Sequence, residues 1–589
     1  MKKNNDKEYL DKLRHSCAHL VAAAVLDLWP KALPTIGPSI EDGFYYDFDF
    51  GDFKISESVF PKIEKRMREI VSKWEKFTRI DVSIHDVKIR FKSNLYKIEL
   101  AEDFDKKGEK LTLYKSGDFV DFCRGGHIEN PKEELKYFKL LSVAGAYWRG
   151  SEKNPMLTRI YGTAFPTQKE LINYLNQLEE AKKRDHRKLG KELDLFTFSP
   201  LVGPGLPLFT PKGTIIRREL ENFVRSLQEP LGYQPVTIPH LTKTELYKVS
   251  GHWDKYGESM FKFIADEPSE DFAIKPMNCP HHTQIYAAKP RSWRDLPQRY
   301  SEVTAVYRNE KAGELLGLTR VYMLTQDDAH VFCTEDQAIE ECLKVYSIIR
   351  DFYKAFDFAV SMRVRMSLSD PLHPEKYLGD RSLWEKSESM MRKVAEKANL
   401  EVFDGIGEAA FYAPKLDFLA KDSLGREWQL ATLQLDFNFP ERFELEYVDK
   451  NGFKKRPVMI HRAILGSTER FMSILIEHFA GAFPVWLSPV QVKVLPITER
   501  NIKYGKEVFE RLKDEGIRAE IDDRNETLQA KIRDAQLEKV PYMLIVGSKE
   551  EKFGNVAVRL RSGDDLGELS LKTFLSRIQE KIDSKALDR

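Results

Sequence analysis

The sequence predicts a multidomain α+β protein, and three observations support that fold class. A chain of 589 residues is too long for one hydrophobic core and is expected to form about three to four domains. In the middle of the chain, strand-like runs such as SEVTAVYRNE and TRVYMLTQDDAHVFC are separated by hairpin-sized gaps. This spacing favours an antiparallel sheet with helices on one face. The C-terminal part instead alternates strands and helices, which predicts a small α/β domain of about one hundred residues.

Composition and charge exclude several classes of protein. Hydrophobic residues make up 42% and charged residues 31%, as in ordinary globular proteins. The formal net charge is +1, so a polyanionic partner would have to meet local patches of charge. The start MKKNNDKEYLDKL has no apolar region behind it, and no apolar run is long enough for a bilayer. We therefore expect a cytoplasmic protein, with no disulfide framework among its cysteines: Cys17, Cys123, Cys279, Cys333 and Cys342.

The clearest boundary lies in the segment FPTQKELINYLNQLEEAKKRDHRKLGKELDLF, residues 165–196. Thr167 and Glu170 form a capping box after Pro166, and an apolar stripe runs from Leu171 to Leu178 through Tyr174 and Leu175. The stripe fades into a charged run, EEAKKRDHRK, which is interpreted as a solvated helix face in preference to an RNA contact. A helix with a polar end is typical of a connector.

A second boundary lies in PVWLSPVQVKVLPI, where a helical stretch gives way to a β-rich run after two prolines. Beyond it the pattern predicts strands at 490–497, 517–521 and 542–546 and helices at 500–515 and 526–538. The predicted domains are therefore 1–166, 191–486 and 487–589, with a linker helix over 167–190.

Two histidines in RHSCAHL, His15 and His19, are four residues apart in a stretch that is predicted to be helical. They would share one helix face, as in metal-binding helices. The 13 histidines of the chain predict roughly 0.3 such pairs by chance. Metal binding, acid–base chemistry and coincidence all remain open from the spacing.

The run 324–333 carries polar residues in an otherwise apolar region. As a strand it places Gln326, Asp328 and His330 on one face and Cys333 on the other. Such a face is either the wall of a pocket or the outside of an exposed edge strand, and the pattern does not separate the two.

Arginines occur in two further segments with distinctive patterns. In AVYRNE, Arg308 and Glu310 would share a strand face. In HRAILGSTERF, Arg470 is expected on a helix two turns after His461, preceded by Gly466. Two converging arginines suit a polyphosphate, although arginines in surface ion pairs are commoner. The absence of a GxxxxGK[ST] segment argues against a P-loop enzyme.

Taken together, these segments resemble a known family. GYQPVTIP, VYRNE and GSTER are similar to motifs 1, 2 and 3 of the class II aminoacyl-tRNA synthetases. IKPMNCP, TQDDAHVFC, EAAFYAPKLDF and VMIHRAILGSTERF resemble the bacterial threonyl-tRNA synthetases, and HSCAH, AGAYWRG, KRDHRK and DDRNETLQAKIR extend the resemblance along the chain. The resemblance implies an α/β editing domain, a class II antiparallel sheet flanked by helices and a C-terminal α/β anticodon-binding domain.

The resemblance also implies a catalytic zinc with the ligands Cys279, His330 and His461. One thiolate and two imidazoles leave a coordination position open for substrate. In the family, the metal takes the amino and hydroxyl groups of threonine, and valine lacks the hydroxyl. Without the family, Cys279 would be interpreted as a buried thiol. A metalloprotease hypothesis for the first histidine pair is set aside, since the Glu of HExxH is missing.

Further residues would bind ATP and threonine by the same resemblance. Arg308 would hold the α-phosphate and the amino-acid carboxylate, and Arg320 and Arg470 the polyphosphate tail. Mg²⁺ on the phosphates and correct positioning would supply most of the rate. The remaining candidates are Glu310 for the adenine and Gln326, Asp328, Tyr412, Lys415 and Gln429 for the threonine and adenylate pocket.

Serine has the same amine and hydroxyl as threonine, so a second site is expected. One missing methyl is worth only about 1–3 kcal/mol, or about 10–200-fold, in substrate selection by synthetases. RHSCAHL pairs with DFCRGGH in the family's editing site, and two histidines plus a cysteine can orient a water and protonate a leaving hydroxyl. The same groups could bind zinc, as in related alanyl-tRNA editing domains, but metal-free hydrolysis is favoured. The editing candidates are His15, His19, Lys97, Asp121, Cys123 and His127.

The C-terminal domain supplies candidates for reading anticodon bases, which amide, carboxylate and guanidinium groups recognise in single strands. Three departures from the family pattern stand out: Gly126 replaces a usual proline, His281 replaces a usual glycine, and the chain starts at the editing domain without a ubiquitin-like domain. His281 is either a fourth metal ligand or, the favoured interpretation, inert. The anticodon candidates are Asn525, Arg533, Glu550 and Arg559.

The resemblance therefore implies a threonine–tRNA ligase with serine editing, which works as a homodimer across the motif 1 region. Its expected partners are tRNA(Thr), ATP and threonine. The rival hypothesis is a catalytically idle synthetase paralogue that binds RNA as a regulator. An idle paralogue is expected to have lost a motif arginine or a zinc ligand, and this chain retains all of them.

Overall fold

The computed structural model of the chain describes residues 7–263, 271–358 and 362–587. Residues 1–6 of the charged start discussed above lie outside these ranges. The chain divides into two compact units, 1–179 and 180–589, and the division falls inside the helix Gln168–Arg184.

The first unit is built around a long helix that packs on an antiparallel sheet. The segment LVAAAV of that helix is buried and forms a core with the apolar side chains of β3 and α2. The main sheet has the order β1-β3-β8-β7, and a second sheet has the order β4-β5-β6. In chain order the elements are α1 (Lys7–Leu28), β1 (Leu33–Pro34), β2 (Ser39–Ile40), β3 (Gly43–Asp49), α2 (Phe60–Val71), β4 (Thr78–Asp81), α3 (Ile84–Arg90), α4 (Leu95–Lys106), β5 (Thr112–Ser116), β6 (Phe119–Phe122), α5 (Pro131–Glu134), β7 (Tyr137–Tyr147), β8 (Met156–Phe165) and α6 (Gln168–Arg184).

The second unit contains an eight-stranded sheet in the order β11-β15-β16-β23-β20-β19-β17-β18. The inner strands pair antiparallel, as predicted, and the outermost pair at each edge is parallel. Helices α8, α12, α13 and α15 contribute to the largest core of the chain. The elements are α7 (His186–Glu192), β9 (Phe196–Thr197), β10 (Leu208–Phe209), α8 (Pro211–Gln228), β11 (Gln234–Pro235), β12 (Leu241–Lys243), α9 (Thr244–Ser250), α10 (His252–Tyr256), β13 (Lys262–Phe263), β14 (Phe272–Ile274), α11 (Cys279–Ala287), β15 (Gln298–Tyr307), β16 (Met323–Cys333), α12 (Glu335–Lys354), β17 (Arg363–Leu368), α13 (Arg381–Lys397), β18 (Val402–Ile406), β19 (Lys415–Lys421), β20 (Glu427–Asp436), α14 (Asn438–Arg442), β21 (Tyr447–Val448), β22 (Lys454–Lys455), β23 (Val458–Ser467) and α15 (Thr468–His478).

The C-terminal part of this unit is the predicted α/β domain. Its sheet has the order β25-β24-β26-β27-β28, and β24 is parallel to both of its neighbours. All five predicted elements are present, and a helix, a hairpin and a final helix follow them. The elements are β24 (Val492–Pro496), α16 (Ile502–Asp514), β25 (Ala519–Ile521), α17 (Leu528–Leu537), β26 (Tyr542–Val546), α18 (Ser548–Phe553), β27 (Asn555–Leu560), β28 (Asp565–Ser570) and α19 (Leu571–Asp583).

The strand predicted at 324–333 is β16, which lies inside the sheet between β15 and β23. The alternative of an exposed edge strand was therefore wrong. Cys333 packs into the large core, while Asp328 and His330 are buried on the other face. Opposite Asp328 and His330, β23 places Ala463 and His461.

The register between β16 and β23 is fixed by a buried ion pair. Arg462 donates to the carboxylate of Asp327, and both side chains are almost completely buried. The same carboxylate accepts hydrogen bonds from the backbone amides of Ile464 at 3.0 Å and Leu465 at 3.1 Å. Because each partner is costly to leave buried alone, this arrangement opposes any slip of one strand along the other.

One prediction about local structure was wrong at the end of a strand, and another was right only in part. β15 ends at Tyr307, so Arg308 and Glu310 lie in the following loop, where a tight turn joins the Glu310 amide to the Arg308 carbonyl at 2.9 Å. Arg470 lies on a helix as predicted, as the third residue of α15, but His461 lies on β23, so the two are not separated by two turns of one helix. Gly466 has a φ of +69°, and a Cβ there would approach a backbone oxygen to 2.8 Å, so the strand-to-helix turn requires glycine.

The linker helix is also shorter than the predicted 167–190. Its capping box is present: Thr167 Oγ1 accepts from the Glu170 amide at 3.2 Å and Glu170 accepts from the Thr167 amide at 3.0 Å. The helix ends at Arg184, because Asp185 has a ψ of 121° and caps α7 by accepting from the Arg187 amide. The charged run was interpreted as a solvated face, but His186 within it is buried.

Candidate functional site

The first candidate site is a buried cluster of one cysteine and two histidines in the second unit. Cys279 is the first residue of α11, and His330 and His461 face each other on β16 and β23. The possible ligand atoms of the three side chains all lie within 4.8 Å of one another. The structure therefore brings together all three predicted metal ligands.

Second partners fix the orientation of both imidazoles. The Nδ1 atoms of His330 and His282 are 2.8 Å apart, and His461 Nε2 lies 3.1 Å from Asp436 Oδ2. One nitrogen of each ring, Nε2 of His330 and Nδ1 of His461, therefore stays available to the cluster. One sulfur and two nitrogens held in this way fit the donor set of a catalytic zinc site.

Burial dominates the electrostatics of this cluster. It raises the pKa of the Cys279 thiol, with a further contribution from Asp328 and Asp436, and it lowers the pKa of His330. It also raises the pKa of Asp328 to about 6, against a hydrogen bond of 3.0 Å from Asn278. A thiolate at this depth requires a bound cation, and neutral imidazoles are already suited to binding one.

The strands that carry His330 and His461 also contribute Gln326 and Ala463 to a pocket of about 220 Å³ that three arginines share. The predicted convergence is thus observed, although Arg320 also forms ion pairs with Glu314 and Glu310. Burial lowers the pKa of Arg470, and the charges of Arg308 and Arg320 lower it further. Mutually repelling cations around one pocket favour an anionic ligand. Residues lining the pocket include Arg308, Glu310, Thr319, Arg320, Gln326, Gln429 and Arg470.

The remaining substrate-site candidates border these two features. The rings of Tyr412 and His461 are 4.9 Å apart. Lys415 Nζ donates to Asp417 at 2.6 Å, and Gln429 Nε2 donates to the other oxygen of the same carboxylate at 2.8 Å. Sequence reasoning missed Asp417, although it lies two residues after Lys415 on one strand and hence on the same face.

The second candidate site lies in the first unit. His15 and His19 share one face of α1, as predicted, and their ring centroids are 4.8 Å apart. Ligand atoms of these histidines, Cys123 and His127 lie within 4.8 Å of one another. A pocket of about 620 Å³ is lined by His15, His19, Lys97, Asp121 and Cys123, so most editing candidates meet in one place.

Hydrogen bonds join the members of this second cluster to one another, to the Ser16 hydroxyl and to the nearby backbone. Cys123 Sγ is 3.3 Å from His127 Nε2, and Ser16 Oγ is 3.2 Å from His127 Nδ1. His15 Nδ1 donates to the carbonyl of Gly37 at 3.0 Å. Burial lowers the pKa values of the three histidines and raises that of Cys123 to about 12, so the cluster is uncharged near neutral pH.

A charged network supports one side of the pocket. Lys97 Nζ is 2.5 Å from Asp121, whose other oxygen accepts from the Tyr46 hydroxyl at 2.6 Å. His19 Nδ1 lies 3.7 Å from the same carboxylate. Tyr46 was missed by sequence reasoning, because it alternates with Phe44 and Phe48 along β3 as an ordinary core residue does.

The two substituted positions have distinct structural consequences. Gly126 has a φ of +87°, which proline cannot adopt, so this backbone path depends on the departure from the family pattern. His281 is buried, lies outside the three-residue cluster of Cys279, and has no hydrogen-bond partner for either ring nitrogen within the described residues.

The four anticodon candidates lie on separate elements of the C-terminal domain. Asn525 precedes α17, Arg533 is exposed on α17, and Arg559 lies on β27. Glu550 already caps α18 by accepting from the amide of Gly547 at 2.9 Å. Contact with a base remains a prediction for all four.

Comparisons with known proteins agree with this architecture. The model "tRNA synthetase class II core domain (G, H, P, S and T)" matches residues 261–479, "Anticodon binding domain" matches 491–581, and "Threonyl and Alanyl tRNA synthetase second additional domain" matches 111–161. The fold and the buried site therefore define a class II aminoacyl-tRNA synthetase.

Individual relatives identify the family within that class. The chain is 49% identical to the threonine–tRNA ligases of Cytophaga hutchinsonii and Rubrobacter xylanophilus, over 98% of its length and 90% and 89% of theirs. The chain belongs to the threonine–tRNA ligase family. A threonyl-tRNA synthetase RNA-binding domain from Cryptosporidium parvum matches 67% of this chain and 98% of its own, at 36% identity and a TM-score of 0.64. Among the described residues, no helix has the length and apolar character needed to span a bilayer.

Proposed function

We propose that this chain activates threonine with ATP, transfers it to tRNA(Thr), and removes serine attached to that tRNA in error. The observation that carries the proposal is the cluster of Cys279, His330 and His461 beside a pocket shared by three arginines. A donor set suited to zinc next to a site suited to polyphosphate is the combination that this reaction needs.

The metal cluster accounts for the choice of amino acid. Cys279, His330 and His461 would hold the zinc, which would supply a Lewis acid able to bind both an amine and a hydroxyl. His282 and Asp436 keep the imidazoles turned toward it. Valine, which has the size of threonine but no hydroxyl, is rejected because the site's polar groups would stay unpaired.

The arginine pocket accounts for adenylate formation. Arg308, Arg320 and Arg470 neutralise the phosphates, together with the Mg²⁺ that ATP brings. Glu310 reads the adenine, and Gln326, Asp328, Tyr412, Lys415 and Gln429 position the two substrates. Since attack by a carboxylate on the α-phosphate requires orientation more than covalent help, fixed side chains supply most of the acceleration.

The second cluster accounts for editing, and we assign it metal-free hydrolysis. Both ring nitrogens of His127 are already engaged, by Ser16 and Cys123, and His15 Nδ1 is engaged by a backbone carbonyl. His15 Nε2 and His19 remain to orient a water, while Cys123 and His127 can return a proton to the departing hydroxyl. Lys97 and Asp121 hold the pocket wall.

The partners follow from the same assignment. Asn525, Arg533, Glu550 and Arg559 would read the anticodon of tRNA(Thr), supported by the match to an anticodon-binding domain. A homodimer would form across motif 1, whose short strand β11 occupies an edge of the large sheet. We retain the domain boundaries 1–166, 191–486 and 487–589, with a linker over 167–190 that contains α6 and the start of α7, and a cytoplasmic location.

An amino-acid-dependent ATP–pyrophosphate exchange panel tests the proposal. Threonine should support exchange, serine should do so about 10–200-fold less well, and valine should give none. Metal analysis should find about one zinc per chain. Exchange with a different amino acid, or tRNA binding with no exchange at all, would contradict the proposal; the second result would favour the idle paralogue.

A further inference from the structure

A buried imidazole outside both clusters has no role in the proposed chemistry. His186 begins α7, within the charged run KKRDHRK, yet only 4% of its surface is exposed. A histidine buried inside a stretch of exposed cations and anions needs specific partners.

Both ring nitrogens of His186 have such partners. Nδ1 lies 2.6 Å from Glu477 Oε1, and Nε2 accepts a hydrogen bond of 3.1 Å from the amide of Leu318. The amide of His186 also donates to Glu477 at 3.1 Å. An amide can donate to Nε2 only if that nitrogen is unprotonated, so the ring carries its hydrogen on Nδ1.

Leu318, whose amide donates to His186, belongs to the turn 316–320 in the loop between β15 and β16. Thr319 and Arg320 from this turn line the arginine pocket. At Gly317, which has a φ of +50°, a Cβ would come within 2.1 Å of His186 Nε2. The turn and the imidazole are therefore in direct contact, and only glycine leaves room for it.

Helix α15 holds the same turn at a second point. Arg470 Nε donates to the Thr319 carbonyl at 3.0 Å, one residue from the Leu318 amide that His186 accepts. Arg470 and Glu477 are two helical turns apart and share a face of α15. One face of this helix thus fixes the turn directly through Arg470 and indirectly through His186.

The carboxylate of Glu477, which accepts from His186, has a second partner. Arg426 donates to the other oxygen of Glu477, and hydrogen bonds from His186 and Arg426 lower the pKa of Glu477 although burial would raise it. Asp185, His186 and Glu477 are close enough to bind a metal ion. Asp185, however, pairs with Arg187, and a metal would have to displace at least one of the two hydrogen bonds of the ring.

We infer that His186 is a positioning residue for the ATP site: it fixes the turn 316–320 on α15 so that Arg320 and Arg470 face the phosphates together. This inference rests on the proposed function, since it concerns ATP binding by that site. The start of α7, just after the linker helix, would thereby fix the position of the loop that contacts ATP.

Three substitutions separate the two hydrogen bonds of the ring. In His186→Gln, the side-chain oxygen can still accept from the Leu318 amide. In His186→Asn, the shorter amide can reach only Glu477, and in His186→Ala both bonds are lost. We expect the Asn and Ala variants to raise KM for ATP about tenfold with KM for threonine unchanged, and the Gln variant to stay within about threefold of the native protein.

Hydrogen exchange supplies a readout that does not depend on activity. Residues 311–320 should exchange faster in His186→Ala and His186→Asn, but not in His186→Gln, while the rest of the sheet is unaffected. His478→Ala is the matched control. It removes a backbone-to-imidazole bond of the same 3.1 Å length at the residue after Glu477 on α15, but the bond comes from Ser423 and not from the pocket turn.

The outcomes distinguish this inference from the proposed function. If native protein shows no threonine-dependent exchange of pyrophosphate, the proposed function fails, and hydrogen exchange still decides whether His186 holds the turn. If all three variants keep the native KM for ATP and native hydrogen exchange, the inference is overturned. A parallel rise of both KM values with loss of zinc would also overturn it, since that pattern indicates general unfolding.

Discussion

The two histidine clusters use the same residue types for what we propose are different purposes. Each brings a cysteine and at least two histidines within 4.8 Å. In the second unit, His282 and Asp436 lie outside the cluster and turn one nitrogen of each imidazole inward. In the first unit, the Gly37 carbonyl likewise engages one nitrogen of His15, but both nitrogens of His127 are engaged, by Ser16 and by Cys123. The two clusters therefore differ in how many imidazoles keep a free nitrogen beside the cysteine.

The largest expected effect comes from removing the sulfur of the catalytic cluster. Cys279→Ala should lose both the bound zinc and threonine activation, because two imidazoles alone hold zinc weakly. The measurements are metal content and ATP–pyrophosphate exchange. Cys123→Ala is the matched control and should keep both. Persistent exchange in a zinc-free Cys279→Ala protein would refute the ligand assignment.

Substitutions in the arginine pocket should slow adenylate formation without changing metal binding. Arg308→Ala and Arg470→Ala should each lower the rate of adenylate formation by about 10²–10³-fold or more, since each removes a cation from the phosphates. Zinc content and tRNA binding should stay close to native. Retained exchange in either variant would remove that arginine from its assigned role.

Removal of the editing histidines should abolish deacylation of seryl-tRNA without affecting threonine activation. His15→Ala combined with His19→Ala should leave threonylation near normal and allow seryl-tRNA to accumulate. The ratio of threonyl-tRNA to seryl-tRNA should then fall to about 10–200, the discrimination that the activation step alone provides. Deacylation of presented seryl-tRNA measures the loss. Normal deacylation in the double variant would overturn the editing assignment.

A chelator sharpens the same comparison. Stripping the catalytic zinc should stop threonine activation and leave deacylation of presented seryl-tRNA intact. If deacylation is lost and then restored by added zinc, the editing cluster binds a metal, and the two sites are more alike than we propose.

The smallest effect should come from a partner that lies outside the metal cluster. Asp436→Asn keeps the size of the side chain and removes its charge, so His461 is held less firmly in its tautomer. Zinc affinity should fall by about 10–100-fold, measured by competition with a chelator. Unchanged affinity would show that β23 alone orients His461.

Much of the fold and of both clusters could be predicted from the sequence. The alternation in 324–333 places Gln326, Asp328 and His330 on one face, and the capping box at Thr167 marks the helix start to the residue. These signals are local, because strand and helix periodicity act over a few residues. The resemblance to a family supplied the rest, including the link between RHSCAHL and DFCRGGH.

What could not be predicted depends on contacts between distant segments. Asp436 acts through His461 on the neighbouring strand, and Tyr46 reaches Asp121 from 75 residues away. His186 looked solvated because its neighbours in the chain are charged, yet its environment is set by Glu477 and Leu318. His282 is the missed residue with the clearest signal in the sequence, since it lies three residues after Cys279 in CPHH and hence on the same helix face.

The pairing of His330 with His461 across two strands would link a bound metal to the assembly of the sheet. A slip of one residue between β16 and β23 would carry one imidazole to the opposite face. Zinc would then stabilise only molecules whose strands have matched correctly, since a ligand adds stability only to the state that binds it. In a freshly refolded sample, the fraction of chains that retain zinc would therefore equal the fraction in which β16 and β23 have paired in the native register.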